Sequence, residues 1–330
     1  MNAIVLTNKA LESIRLKRRL RELDSTFANI QCLTKEELTT GMKVEYIFST
    51  WYMPSFTEDE IRAFFPKLKA IFYAAGTVKQ FALPFLKQGI RVFSAAKVNG
   101  IPVAEFTVGQ ILLANKGYFQ SSRRYKWPIW SRGYKQARDI SENHQGNYNS
   151  TVGILGCGAV GSMVVSLLKP YELKIKVYDP YLTNEHAKDL GVEKGSLEDI
   201  FSSCSVISNH MPDITATKGI INKDLLKLMQ PYATLINTGR GAQIIEKDLA
   251  SVLGKRKDLC ALLDVASHEP LFPWSRLYWR KNVFLSPHIA GSLSDEINRM
   301  IDYSYQSYIK VKNGEKAEGE VSIDQLERKA

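Results

Sequence analysis

A chain of 330 residues, 45% hydrophobic and 24% charged with no low-complexity tract, is globular and long enough for two domains, each with its own core. Its net charge of +10 is spread out. The densest cluster, LKRRLRE at 16–22, reads as a solvated helix face, and no nucleic-acid recognition motif accompanies it. No run approaches eighteen apolar residues, so no helix is expected to span a membrane.

The apolar start followed by a basic cluster is the reverse of a secretory signal, and it is expected to form a strand (3–6) and then a basic helix. KVEYIFST (43–50) and LKAIFYAAG (68–76) read as strands. Between them Thr57 and Glu60 make a capping-box pattern at a helix start. IRVFSAA (90–96) is a third strand after a short helix. From Val103 the apolar spacing turns helical: Val103, Phe106, Ile111, Leu112 and Leu113 share one broad face. The polar and aromatic stretch that follows, with Trp127 and Trp130, is interrupted by Pro128 and suits a subunit contact or, equally, a fold over its own domain. Cys32, Cys157, Cys204 and Cys260 form no CxxC pair, as expected of free thiols in a reducing cytoplasm.

After Ser150 strands and helices alternate regularly. TVGILG, LKIKVYD, CSVISNH, ATLINTG, CALLDVA and NVFLSPH are near-continuous apolar runs, the mark of a parallel sheet covered on both faces. A long amphipathic helix follows, and residues 315–330 are expected to be a charged, frayed tail. The fold class is α/β.

Gly156-Cys157-Gly158-Ala159-Val160-Gly161 follows an apolar strand and opens a helix, and Asp179 ends the next strand 18 residues past Gly161. The first glycine permits a tight turn, the second lets backbone approach a pyrophosphate, and the third lets helix and strand pack. The helix N terminus faces the phosphates. Asp179 suits the ribose hydroxyls and repels a 2′-phosphate, so NAD is expected as the cofactor rather than NADP.

Three further strands end in groups fit for chemistry. Arg240 can clamp a carboxylate and polarise its neighbouring carbonyl. His288 can pass a proton to or from a carbinol oxygen. Glu269 can hold the far nitrogen of that ring. Asp264, nearer the cofactor, suits the nicotinamide carboxamide. His268 is rejected as the acid/base because Glu269 needs a histidine on a facing strand end. His210 reads mainly as packing in a loop flanking the cofactor, and His144 and His186 as surface residues.

In order, VAE (103–105), GILGCGAVG, YDP, NHMP (209–212), NTGRG, LDV with HEP, and SPHIAG (286–291) resemble the D-isomer-specific 2-hydroxyacid dehydrogenase family, from about residue 68 to 297. The resemblance implies Arg240, Glu269 and His288 as catalytic residues. It also implies NAD contacts from the glycine loop, Asp179, His210, Met211, Pro212, Thr217, Asn237, Thr238, Gly239, Asp264, Ala290 and Gly291. It implies two Rossmann-like or flavodoxin-like domains: a discontinuous substrate domain (1–102 plus 292–330) and an NAD-binding domain (103–291), with the site in the cleft. A cytoplasmic homodimer acting on a small 2-keto or 2-hydroxy acid would follow, with neither nucleic acid nor membrane as partner.

The substrate domain departs from the family pattern. Ala74-Ala75-Gly76-Thr77-Val78-Lys79 replaces a GVGxDNxD-like loop, though the amides of Ala75 and Gly76 can still receive a carboxylate. Ser94 stands where an asparagine is common. Trp51, Tyr52 and Met53 are bulky and either line a pocket or fill the core. The other reading of the same fold is an NAD(H)-sensing, corepressor-like scaffold.

Overall fold

The computed structural model describes residues 2–125 and 130–328. They form two compact units, one running to Gly100 and resuming at Ser292, the other covering Ile101–Gly291.

The first unit is built on a six-stranded sheet. Its strands are β1 (Ala3–Leu6), β2 (Gln31–Leu33), β3 (Tyr46–Ser49), β4 (Ala70–Tyr73), β5 (Arg91–Ser94) and β13 (Glu320–Val321), in the order β13-β5-β4-β3-β1-β2. All pairs are parallel except β13 with β5. The strands are apolar on both faces because helices cover both. Ile4, Leu6, Ile47 and Ile71 pack on the side of α2 (Glu58–Phe64) and α3 (Ala82–Lys87). Val5, Phe48, Phe72 and Phe93 pack against Leu16 and Leu20 of α1 (Ala10–Leu23), and against Met300, Ile301 and Tyr308 of α12 (Glu296–Lys312). On that second side Phe72 and Phe93 stack at 5.2 Å and Phe27 meets Phe48 edge-on at 5.5 Å. The expected capping box is present: Thr57 N–H donates to Glu60 Oε2 at 2.8 Å and Glu60 N–H to Thr57 Oγ1 at 3.2 Å.

The second unit carries a seven-stranded, wholly parallel sheet. Its strands are β6 (Thr151–Leu155), β7 (Lys174–Tyr178), β8 (Glu193–Lys194), β9 (Val206–Asn209), β10 (Thr234–Asn237), β11 (Cys260–Leu263) and β12 (Val283–Leu285), ordered β12-β11-β10-β9-β6-β7-β8. The order reverses direction beside β6, and a doubly wound sheet opens its ligand crevice at such a point. Before the sheet come α4 (Ala96–Asn115), which contains the unit boundary, α5 (Tyr118–Tyr125) and α6 (Trp130–Glu142). Around it lie α7 (Ala159–Leu168), α8 (Asn184–Leu190), α9 (Leu197–Ser203), α10 (Lys223–Leu228) and α11 (Glu246–Lys255). No described helix is long and apolar enough to cross a membrane.

Three expectations need correction. The tail after Glu315 does not simply fray. Val321 lies in β13 against Val92, α13 (Ile323–Arg328) follows, Ala317 is buried and Leu326 packs on the first unit's core. The helix expected from Val103 begins at Ala96, because Ser94 Oγ accepts the Ala96 N–H at 3.1 Å and starts the turn. Pro102 then lies inside the helix, where it removes one donor without ending it. His144 is half-buried, its Nδ1 2.9 Å from the Ile140 carbonyl and its ring against Tyr232, and burial lowers its pKa. Trp127 and the side chain of Trp130, where a subunit contact was expected, lie outside the described residues.

Candidate active site

In the second unit β6 runs into the loop at 156–158 and then into α7. Gly156 has φ +88°, and a Cβ there would come within 2.9 Å of the His210 and Met211 backbone. A Cβ on Gly161 would overlap the Gly156 carbonyl. Loop and helix therefore pack closely only because both positions lack side chains. At Gly158 nothing stands within 4 Å of such a Cβ, which leaves open space at the first turn of α7, beside Ala159 and Val160. Helix amides in that turn have no intrahelical acceptor and carry the positive end of the dipole. Cys157 N–H donates to Asp179 Oδ2 at 2.7 Å and Tyr181 N–H to Oδ1 at 2.8 Å, so the acid ending β7 is fixed beside the loop. Open room, free amides and an anchored carboxylate fit the pyrophosphate and ribose of NAD.

Beyond the next two strands a buried amide network shapes the backbone. Asn209 Nδ2 donates to Asn237 Oδ1 at 2.9 Å and to Gln243 Oε1 at 2.6 Å. Asn237 also receives the Gly239 N–H and donates to the Arg240 carbonyl, both at 3.1 Å. Gln243 Nε2 reaches the carbonyls of Met211 at 2.8 Å and Pro212 at 3.0 Å. The loop after β9 and the turn after β10 are thereby tied together. Thr217 closes the former, its hydroxyl 2.5 Å from the Pro212 carbonyl, and Thr238 shares a hydrogen bond with Thr107 at 3.0 Å. His210 Nε2 lies 2.9 Å from Ser208 Oγ, and desolvation pushes its pKa down to about 4, so the ring is neutral. Arg240 uses one guanidinium nitrogen on the Gly239 carbonyl at 2.8 Å, which leaves most of its fork of donors for a ligand.

Glu269 and His288, the expected partner and acid/base residue, lie in the loops after β11 and β12. His288 Nδ1 lies 2.7 Å from Glu269 Oε2, and Glu269 Oε1 accepts the Ala266 N–H at 3.1 Å. His288 itself sits at φ 54°, a region few non-glycine residues occupy. Asp264 fixes this geometry. Its carboxylate, almost fully buried, accepts from Ser286 Oγ at 2.6 Å, Ile289 N–H at 2.9 Å and Ala290 N–H at 2.9 Å. Gly291 continues the same loop. Where a carboxamide contact was expected of Asp264, both of its oxygens are occupied by the loop that carries His288. His268 faces away from this pair: its Nδ1 is 2.7 Å from the Pro270 carbonyl and its ring stacks on Phe272 at 4.0 Å. His186 is exposed.

The first unit places its own candidates at the carboxyl ends of β3 and β4. Ser94 Oγ donates to the Gly76 carbonyl at 2.6 Å and reaches that of Ala75 at 3.3 Å. The turn at 75–76 is thereby pinned through its carbonyls, and its amides make no hydrogen bond among the described residues. Trp51 packs on the cores of both sheet faces, whereas Tyr52 is 55% exposed. Both also line a cavity, so Trp51 serves core and pocket together.

Residues 108–290, more than half of the chain, match the model of the D-isomer specific 2-hydroxyacid dehydrogenase NAD binding domain. The chain belongs to this 2-hydroxyacid dehydrogenase family. Among relatives, YoaD of Bacillus subtilis is 35% identical over 207 residues, 62% of this chain and 59% of that one. A glyoxylate reductase of Aeropyrum pernix is 32% identical over 229 residues, covering 68% of each chain. The fold is that of the D-mandelate dehydrogenase of Rhodotorula graminis, with a TM-score of 0.78 at 19% identity over 97% of each chain. The chain spans less than two thirds of YoaD's length.

Within this member of the 2-hydroxyacid dehydrogenases, what sequence reasoning missed is mostly support: Gln243 itself, and the holding contacts of Asn209, Ser286 and Ser94. Gln243, Asn209, Ser286 and Ser94 touch no expected ligand position but hold the loops that do. Their signal was faint: each is a single polar residue at a strand end or just beyond a motif. Only burial reveals that such groups must be satisfied.

Proposed function

We propose that the chain is an NAD-dependent dehydrogenase that interconverts a small 2-keto acid and its D-2-hydroxy acid. The observation that carries this reading is the 2.7 Å contact of His288 Nδ1 with Glu269 Oε2. It fixes the ring and leaves Nε2 to exchange a proton with the substrate oxygen. Glu269, itself anchored by the Ala266 amide, stabilises the imidazolium while that proton is held. The open donors of Arg240 receive the substrate carboxylate and polarise the adjacent carbonyl. NAD, when bound, supplies the hydride acceptor for oxidation and, reduced, the donor for reduction. The glycine loop and α7 hold its phosphates, and Asp179 sets the preference for NAD over NADP.

Four free cysteines suit a reducing compartment, so the same reading carries a cytoplasmic location, and the family a homodimer, which light scattering tests. No observation favours a scaffold without catalysis. The decisive experiment follows NADH oxidation with a panel of 2-keto acids and fixes the configuration of the product. His288→Gln is expected to lose at least about a hundredfold in kcat while still quenching with NADH. Full turnover in that variant, or an L product, would refute the reading.

A further inference from the structure

Gln243 ends the short turn Gly241–Gln243 after β10, just beyond Arg240. It is fully buried, as are Asn209 and Asn237 of the same amide network. A side chain shut away from solvent touches no ligand, so any part it has in the chemistry passes through the groups it holds. All of those lie in the second unit.

The Gln243 amide spends its whole hydrogen-bonding capacity. Its oxygen accepts from Asn209 Nδ2 at 2.6 Å and from the Arg240 N–H at 3.1 Å. Its nitrogen donates to the carbonyls of Met211 at 2.8 Å and Pro212 at 3.0 Å. Reversing the amide would set an oxygen against two carbonyls and a nitrogen against two N–H groups, so one arrangement alone satisfies all four. Asn237 acts from the other side, donating to the Arg240 carbonyl at 3.1 Å. The peptide units before and after Arg240 are therefore both fixed by one connected set of amides. Gly239 lies directly over that set: a Cβ there would stand 3.1 Å from the Asn209 carbonyl and 3.3 Å from Gln243 Oε1. The same turn abuts the loop that carries Glu269, since a Cβ on Gly241 would overlap the backbone of Ala266. Among the described residues the Arg240 guanidinium meets only the Gly239 carbonyl, at 2.8 Å. Where its remaining donors point is set by the backbone it leaves from.

We propose that Gln243 is a positioning residue: with Asn209 it ties the carboxylate-binding Arg240 to the loop at 211–212, which the dehydrogenase reading above sets beside the cofactor. Substrate arginine and cofactor loop then keep one register, and loosening the amide set loosens both. The assignment rests on that reading.

Gln243→Leu keeps the volume and removes all four bonds. With the 2-keto acid that wild type reduces best, KM is expected to rise about tenfold or more, with a smaller fall in kcat. NADH binding, read by fluorescence quenching, should weaken in the same variant. Gln243→Glu gives a readout that packing alone would not move. When protonated, the new carboxyl can donate to Met211 or Pro212 and accept from Asn209 and Arg240; once ionised, it turns only acceptors toward those two carbonyls. Its KM, divided by that of wild type at the same pH, should lie near one at about pH 5.5 and reach about ten at about pH 9. A ratio flat across that range overturns the assignment, as does a wild-type KM in Gln243→Leu. If Gln243→Leu does not fold, the pH profile of Gln243→Glu decides alone. If wild type reduces no 2-keto acid, the dehydrogenase reading has failed instead. Gln243 is then tested by the rate at which phenylglyoxal modifies Arg240, followed by mass spectrometry. Relative to wild type, that rate in Gln243→Glu should change about threefold or more between neutral and alkaline pH. A constant ratio overturns the proposal.

Discussion

Asp264 and His288 are joined through main chain and side chain together. The His288 N–H donates to the Asp264 carbonyl at 3.0 Å, while the Asp264 carboxylate holds Ile289 and Ala290, the two residues that follow the histidine. The imidazole therefore owes its position to a buried acid that does not touch the ring.

Asp264→Asn tests that dependence. The amide must turn a donor toward an N–H or the Ser286 hydroxyl, leaving a buried group unsatisfied at a cost of about 1–3 kcal/mol. We expect a lower melting temperature and a kcat loss of tenfold or more, with the KM for NADH moving less. A variant with normal turnover would show that His288 keeps its place without the anchor.

Glu269→Gln separates charge from geometry. The amide oxygen can still accept from the ring nitrogen, but the imidazolium loses its counter-charge. Turnover of a 2-keto acid is expected to fall roughly a hundredfold, while NADH binding, read by fluorescence quenching, stays close to wild type. Loss of NADH binding as well would mean that Glu269 supports the nucleotide site rather than the proton.

Asp179→Ser addresses the cofactor. With the carboxylate gone, the amides of Cys157 and Tyr181 lose their acceptor and a 2′-phosphate loses its repulsion. Titration should show NADH binding about tenfold weaker and the gap to NADPH narrowed. Unchanged discrimination would move the selectivity to other residues.

Strand ends and motif order made the second unit legible from sequence, because glycine spacing and terminal charges are local signals. Arg240, Asp264 and His288 each stand just past an apolar run, with Glu269 in the loop after the second, and that pattern survives without coordinates. The supporting network did not show. Gln243 contacts Asn209 across 34 residues, and no local pattern encodes such a pairing. The tail failed for the same reason. Glu320 is held by Arg91, 229 residues away, through two contacts of 2.7 and 2.8 Å, while its own neighbourhood reads as charged coil.

Removal of residues 316–330 follows from that correction. It deletes β13, the Ser94 N–H to Gly319 carbonyl bond of 2.8 Å, and the packing of Ala317 and Leu326. The exposed Arg91–Glu320 pair adds about 1 kcal/mol at most, so the loss is mainly burial and backbone pairing. A drop on the order of 5 °C in melting temperature is expected. A truncated protein as stable as the whole chain would return the tail to a frayed appendage.

His210 should make stability depend on acid. Its Nδ1 is shut away from solvent without a partner among the described residues, and its pKa lies near 4 against an ordinary 6.5. A histidine with a depressed folded-state pKa leaves stability intact above 6.5. As pH falls below that value the unfolded chain takes up the proton first, and the folded state follows only near 4. The loss across this window is on the order of 2–3 kcal/mol. His210→Gln can keep the hydrogen bond to Ser208 but cannot titrate. Its denaturation midpoint in urea should therefore fall less than that of wild type between pH 6.5 and 4. Parallel curves for the two proteins would place the acid sensitivity elsewhere in the chain.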